Sequence, residues 1–103
     1  MRIEVVGGRT INQQARTYAE YRVFAALTQC TEADKVRRVR VLLRPVNRGS
    51  GCGDIACTVT VARDGPESFR IRTTGPHPYA AINRAVERLR ANAPRRTSER
   101  VSV

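Results

Sequence analysis

Apolar residues change their spacing along the chain, and each change predicts a new element. Ile3 and Val5 alternate with other residues, which predicts a strand over residues 1–6 and a turn at Gly7-Gly8. From there to about Gln29 the apolar residues recur every three or four positions, as in a helix that covers a core with one broad face. The members of this face are Ala15, Tyr18, Ala19, Val23, Ala26 and Cys30.

The start and the rim of this first helix can also be predicted. Thr10 can cap its N-terminus, because Gln13 three residues on completes a capping box. Tyr21 and Phe24 fall outside the apolar face. We expect them at the rim of the core, with a contact to a base or to a protein as the alternative.

Three later segments alternate with period two, and each predicts a strand with one apolar face. They cover residues 36–44, 55–62 and 69–73 and are separated by turn-rich segments. The positions expected to face the core are Val39, Val41, Leu43, Ile55, Cys57, Val59, Val61, Phe69, Ile71 and Thr73. The positions of the second segment expected to point outward are Ala56, Thr58, Thr60 and Ala62.

A second helix is predicted from Pro78 to about Ala93, where Pro94 ends it. Its apolar seam is Tyr79, Ile82, Val86, Leu89 and Ala93. The order β-α-β-β-β-α predicts an α+β fold, a four-stranded mixed sheet with two helices packed on one face. The first two strands should be parallel neighbours, and the last three an antiparallel meander. We expect one domain over residues 1–94 and a polar, disordered tail over 95–103.

Charge is the first indication of a partner. The 103 residues include 19 Lys and Arg against 9 Asp and Glu, for a formal net charge of +10, and every basic residue except Lys35 is arginine. Because guanidinium groups bind phosphate bidentately and stack on bases, this composition indicates a nucleic-acid partner. No apolar run approaches the length of a membrane span, so we expect a cytoplasmic protein without a membrane partner.

Cysteine and histidine do not indicate catalysis or metal binding. Three cysteines are an odd number, and Cys52 and Cys57 lack a second Cys or His pair to complete a zinc site. His77 lies between two prolines without an obvious partner for proton transfer, and Cys52 lacks the signature of an activated nucleophile. We therefore expect no catalytic residue, no metal, no cofactor and no small-molecule substrate.

Arginines recur on the predicted outer faces. Arg84 and Arg88 lie one turn apart, opposite the seam of the second helix, and like charges at that spacing repel, which favours an external partner. The same helix and tail add Arg90, Arg95 and Arg96, and the first helix and its entry turn add Arg9, Arg16 and Arg22. The outward strand positions Arg38, Arg40, Arg44, Arg70 and Arg72 predict a basic sheet face, either a second RNA surface or a solvated exterior.

With this order and final helix, the chain resembles the short form of the ribosome hibernation-promoting factor family, also described as ribosome-associated inhibitor A or ribosomal subunit interface proteins. Tyr79-Ala80-Ala81-Ile82-Asn83 and Glu87-Arg88-Leu89 look like the family's Tyr-x-Ala-Ile-Asp/Asn helix start and its later basic-Leu pair. Arg16 and Arg22 sit at the family's spacing of six, and Gly8-Arg9 resembles its entry turn. The chain departs from the family at His77, where an acidic residue is usual, and at the entry to the first helix, which is about two residues short.

The resemblance implies a monomeric factor that binds the 16S-type rRNA of the small ribosomal subunit, or the 70S-type ribosome, in the mRNA and tRNA channel and blocks translation. Arg16, Arg22 and Arg88 are carried over as rRNA contacts, Arg9 comes from the matching entry turn, and charge geometry adds Arg84, Arg90, Arg95 and Arg96.

Two other kinds of function remain open at this point. A double-stranded-RNA-binding domain also ends in three antiparallel strands and a helix, although its usual lysine cluster is absent before Tyr79. A protein-binding regulator without ribosome activity would use Tyr21, Phe24 and the tail. An RNA-recognition motif fits less well, because Phe69 shares the face of the core residue Ile71 rather than the open sheet face.

Overall fold

The computed structural model describes residues 1–9, 11–30, 35–47, 53–63 and 68–92. Its elements are β1 (Arg2–Gly7), α1 (Gln13–Cys30), β2 (Val36–Asn47), β3 (Gly53–Arg63), β4 (Ser68–Gly75) and α2 (Pro78–Asn92). The strands form one sheet in the order β1-β2-β3-β4. β1 and β2 pair in parallel, and the other neighbours are antiparallel. The predicted α+β fold with a mixed sheet is confirmed.

Both helices cover the same face of the sheet, and the core lies between the two layers. The strands contribute Val39, Val41, Leu43, Cys57, Val59, Val61 and Ile71, and the helices contribute Ala15, Ala19, Val23, Ala26, Leu27, Ala81, Ile82, Ala85, Val86 and Leu89. Each large apolar side chain stabilises the fold by about 1.5–3 kcal/mol on burial, and the alanines let the helices approach closely. Leu27, Ala81 and Ala85 widen the predicted helix faces. Tyr21 and Phe24 are 70% and 49% exposed, as their place outside the apolar face predicts.

The first helix begins later than predicted. Asn12, not Thr10, caps α1, because its side-chain Oδ1 accepts a hydrogen bond from the Ala15 N–H at 2.8 Å. Thr10 itself lies outside the described residues. Ile11 is buried against Gly7, where a Cβ would come within 2.9 Å of the Ile11 Cβ. The chain must bring Ile11 into the core before the helix can begin.

One outward position of β3 is buried, contrary to its predicted exposure. Ala56 is 1% exposed, although strand alternation places it on the face away from the helices. Its partners across the neighbouring strands are Arg44 and Thr74. Both side chains are longer than that of alanine, and they shield its methyl group.

The corner between β4 and α2 is fixed by close packing and by capping. A Cβ on Gly75 would come within 2.8 Å of the Ala81 backbone nitrogen, so this approach requires glycine. The buried Thr73 hydroxyl donates to the Ala81 carbonyl at 2.7 Å. His77 caps α2, because its Nδ1 accepts from the Ala80 N–H at 3.2 Å and its carbonyl accepts from the Ala81 N–H at 3.2 Å. His77, where the chain departs from the acidic residue usual in the family that it resembles, therefore still caps the helix.

Within the described ranges, neither helix is long and apolar enough to cross a membrane.

Candidate nucleic-acid interface

The outer face of α2 forms one wall of a basic groove. Arg84 and Arg88 are exposed there, opposite the buried side chains of Ile82, Val86 and Leu89, as predicted. The groove has a volume of about 610 Å³ and lies between α2 and the edge strand β4, lined by Arg72, Thr73, Thr74, Arg84, Glu87, Arg88 and Ala91. It therefore brings arginines from two elements together beside a single carboxylate.

Arg84 is held in place at the mouth of this groove. Its Nη1 donates to the Thr74 carbonyl at 2.6 Å. A guanidinium group has five N–H donors, so this bond orients the side chain and leaves donors for an anion. An oriented arginine loses less side-chain entropy on binding phosphate than a free one does.

Arg16 has a structural partner that its sequence position does not reveal. Its Nη2 donates to the carbonyls of Gly7, at 2.8 Å, and Gly8, at 3.4 Å, and so ties α1 to the carboxyl end of β1. The Arg16 Nε is buried and has no hydrogen-bond acceptor within the described residues. The half-buried side chain directs only part of its guanidinium toward solvent.

Arg22 belongs to an aromatic cluster between the two helices. Its guanidinium carbon lies 6.0 Å from the centroid of the Tyr18 ring, within range of a cation–π interaction. The Tyr18 and Tyr79 rings meet edge to face at 5.1 Å, and the Tyr18 hydroxyl donates to the Asn83 Oδ1 at 2.5 Å. This hydrogen bond was not predicted. Arg22 is therefore oriented by α1 and, through Tyr18, by α2.

Two of the remaining predicted contact residues, Arg9 and Arg90, lie within the described ranges. Arg90 is exposed, and its Nη2 donates to the Gln29 Oε1 at 3.3 Å, which links the C-terminal ends of the two helices. Arg9 is exposed beside the start of α1. Arg95 and Arg96 lie outside the described residues. The structure thus gathers Arg84, Arg88 and Arg90 on α2 and gives Arg16 and Arg22 structural contacts on α1.

The opposite face of the sheet is basic as well. Arg38, Arg40, Arg44, Arg70 and Arg72 are exposed at the positions that alternation predicts. Arg2 joins them, because it pairs with Arg38 in the parallel register, and the inward alternation of Ile3 and Val5 would have placed it there. The carboxylates on this face by alternation are Glu4 and Asp54, and the exposed Glu4 lies 4.0 Å from Arg40.

Cys57 is part of the core. Burial raises the pKa of its thiol to about 12, so the thiolate that a nucleophile or a metal ligand requires is not formed at neutral pH. Among the residues that the structure describes, no three His, Cys, Asp or Glu side chains are grouped to hold a metal ion. The side chains of Cys30 and Cys52 lie outside the description.

The fold of this chain is similar to those of two solved structures. One is a ribosomal subunit interface protein from Coxiella burnetii, which is similar over 100% of both chains, with a TM-score of 0.69 and 12% sequence identity. The N-terminal domain of Protein Y from Thermus thermophilus is similar over 88% of this chain and 93% of its own, with a TM-score of 0.67 and 22% identity. No protein-family model matches this chain, and no curated protein matches it in sequence. The likeness is one of fold.

Proposed function

We propose that this protein is a ribosome hibernation factor, which binds the rRNA of the small ribosomal subunit in the mRNA and tRNA channel and blocks translation. The observation that carries the proposal is the basic groove along α2, on a fold shared with a ribosomal subunit interface protein and with the Protein Y N-terminal domain. The protein acts in the cytoplasm as a monomer, without a cofactor, a metal or a substrate to convert.

Binding is through the phosphate backbone. Arg84, Arg88 and Arg90 provide exposed guanidinium groups from one helix, Arg9 provides another before the start of α1, and Arg95 and Arg96 follow α2 in the sequence. Such contacts position a protein on RNA without reading bases, so recognition depends on the shape of the RNA. Inhibition then needs no chemical step, because mRNA and tRNA cannot enter an occupied channel.

Arg16 and Arg22 make a different contribution. Arg16 is held by its hydrogen bond to the carboxyl end of β1. Arg22 is held against the ring of Tyr18. Each presents a fixed guanidinium edge to RNA, which suits a shaped site better than a mobile side chain would. We expect their substitution to lower both stability and affinity, whereas that of Arg84 lowers mainly affinity, because its hydrogen bond to Thr74 is exposed to solvent.

The test is co-sedimentation of the purified protein with isolated small and large ribosomal subunits at low and high salt. Arg84→Glu/Arg88→Glu is compared with Arg2→Glu/Lys35→Glu, which has the same change in charge at the far end of the sheet. We expect salt-sensitive binding to the small subunit, lost by the first variant and kept by the second. Binding that persists at high salt, or an equal loss in both variants, would contradict the proposal.

A translation assay tests the consequence of binding. Synthesis of a reporter by purified ribosomes should fall as the concentration of the protein approaches that of the ribosomes. The Arg84→Glu/Arg88→Glu variant should not inhibit synthesis at the same concentration. Failure to bind the small subunit, together with tight binding to free duplex RNA, would instead favour a double-stranded-RNA-binding domain.

A further inference from the structure

The open face of the sheet contains a trough that runs along β3. Its floor is formed by every outward residue in the middle of that strand, and all of them are small: Ala56, Thr58, Thr60 and Ala62. Arginines rise on both sides, from β2 on one side and from β4 on the other: Arg38, Arg40, Arg44, Arg70 and Arg72. We call this feature the β3 trough.

The register of the sheet sets the cross-section of the trough. Arg40, Thr60 and Arg70 lie in one row, because Thr60 pairs with Arg40 on one side and with Arg70 on the other. The central groove has a volume of about 410 Å³ and is lined by Arg40, Leu42, Thr58, Thr60, Arg70 and Arg72. Two strand spacings separate its walls by about 10 Å, and the six residue steps from Ala56 to Ala62 give it a length of about 20 Å. A single extended polynucleotide strand fits this width, whereas a double helix is wider.

The charge of the face is unbalanced. Among the residues that the structure describes, this face has six arginines, with Arg2 included, and two carboxylates, Glu4 and Asp54. Within the described part of the chain, the ion pair on this face is that of Arg40 with Glu4, at 4.0 Å with both side chains 61% exposed, and such surface pairs contribute little. The arginines of the two walls lie about 10 Å apart, which is close to the Debye screening length of about 8 Å at physiological salt. Salt therefore screens their mutual repulsion only in part. A bound polyanion would relieve this repulsion.

Protection of the sheet edge does not explain the pattern. Charged residues on an edge strand discourage pairing with other sheets, and this accounts for Arg70 and Arg72 on β4. It does not account for Arg38, Arg40 and Arg44, because β2 is an inner strand.

We propose that the β3 trough binds the sugar-phosphate backbone of a single-stranded RNA segment. The described residues of this face include no aromatic side chain, so the sheet offers bases no aromatic platform and the main contacts are to phosphate and sugar. The Thr58 and Thr60 hydroxyls can donate to or accept from the ribose 2′-OH, which distinguishes RNA from DNA. This surface lies on the face of the sheet opposite the helices and meets the α2 groove at Arg72. It rests on the proposed function only in taking RNA as the partner.

The test is fluorescence anisotropy with a labelled oligouridylate of about 12 nucleotides, which forms no duplex, titrated at several salt concentrations. Arg40→Gln/Arg70→Gln removes two trough charges, and Arg84→Gln/Arg88→Gln removes two from α2 as the matched control. Arg72 is left intact because it lines both the trough and the α2 groove. We expect the trough variant to bind about tenfold more weakly, with a salt slope lower by about 1.4, and the α2 variant to lose less affinity than the trough variant, because it keeps the trough arginines.

Two further comparisons sharpen the result. Glu4→Gln removes a carboxylate beside Arg40 and should strengthen binding, a gain that damage to the fold would not produce. The deoxyuridine oligomer should bind more weakly than the RNA. Equal weakening by the trough and α2 variants, an oligouridylate affinity unchanged by Arg40→Gln/Arg70→Gln, no gain with Glu4→Gln, or equal affinity for the DNA oligomer would overturn the proposal. None of these outcomes affects small-subunit binding through Arg84 and Arg88, so the two proposals can fail separately.

Discussion

The Tyr18 hydroxyl and the Asn83 side-chain amide, 65 residues apart in the chain, share a hydrogen bond of 2.5 Å that joins α1 to α2. Tyr18 also packs edge to face against Tyr79 and lies beneath Arg22. One tyrosine thus connects the helix interface with an arginine of the candidate RNA surface.

Tyr18→Phe should lower the free energy of unfolding by about 1 kcal/mol, because the half-buried Asn83 amide loses its partner while the ring packing is kept. Urea denaturation measures this. Tyr21→Phe is the matched control, since Tyr21 is 70% exposed, and it should be neutral. Equal stability of the two variants would show that the hydrogen bond does not hold the helices together.

His77→Ala should lower the free energy of unfolding by about 0.5–2 kcal/mol, because the Ala80 N–H loses the Nδ1 acceptor that caps α2. His77→Asp should retain most of that stability, since aspartate is a good N-cap and its charge complements the helix dipole. Thermal unfolding followed by circular dichroism compares the two. An aspartate variant as unstable as the alanine variant would contradict the capping role.

Gly75→Ala should destabilise the fold by about 1–3 kcal/mol, because the added Cβ meets the Ala81 backbone nitrogen at 2.8 Å. Gly8→Ala is the control, since a Cβ there would meet nothing within 4 Å, and it should change stability by less than about 0.5 kcal/mol. Chemical denaturation measures the free energy of unfolding of both variants. Tolerance of alanine at Gly75 would mean that the β4–α2 corner can relax.

Cys57 should make the protein less stable in alkali. Its thiol pKa is raised from 9.0 to about 12 by burial, so below pH 9 the thiol is protonated in both states. Between these two values the unfolded chain releases the proton and the folded chain keeps it, so the free energy of unfolding falls as pH rises, by up to about 1.4 kcal/mol per pH unit. Cys57→Ala, measured by urea denaturation from pH 7 to 11, should have a shallower decline. An identical slope would show that Cys57 does not contribute.

Alternation and helical spacing were enough to predict the sheet, because a one-residue slip in register would turn Val39, Val41 and Leu43 away from the core. The same alternation placed the arginines on the open face of the sheet, and helical spacing placed Arg84 and Arg88 on the outer face of α2. The predicted start of α1 was wrong because both Thr10 and Asn12 are residue types that can cap a helix. The choice between them depends on the contact of Ile11 with Gly7, which is a tertiary contact.

Partners of individual arginines could not be predicted in this way. Arg16 donates to the carbonyls of Gly7 and Gly8, and every residue type offers the same backbone acceptor. The Tyr18–Asn83 hydrogen bond joins helices that are distant in the chain, so local spacing contains no signal for it. Sequence therefore located the basic surfaces, and only the structure showed which of their side chains are already held in place.

β1 is made before the strand with which it pairs. Among the described strands its neighbour is β2, in parallel, and the whole of α1 lies between the two in sequence. The strands β2, β3 and β4, by contrast, follow one another directly. During synthesis Ile3 and Val5 must therefore wait for more than thirty residues to emerge before they can dock. The nascent β1 is then an unpaired apolar segment, and completion of the sheet on the β1 side is expected to be a late step in folding, after the local hairpins have formed.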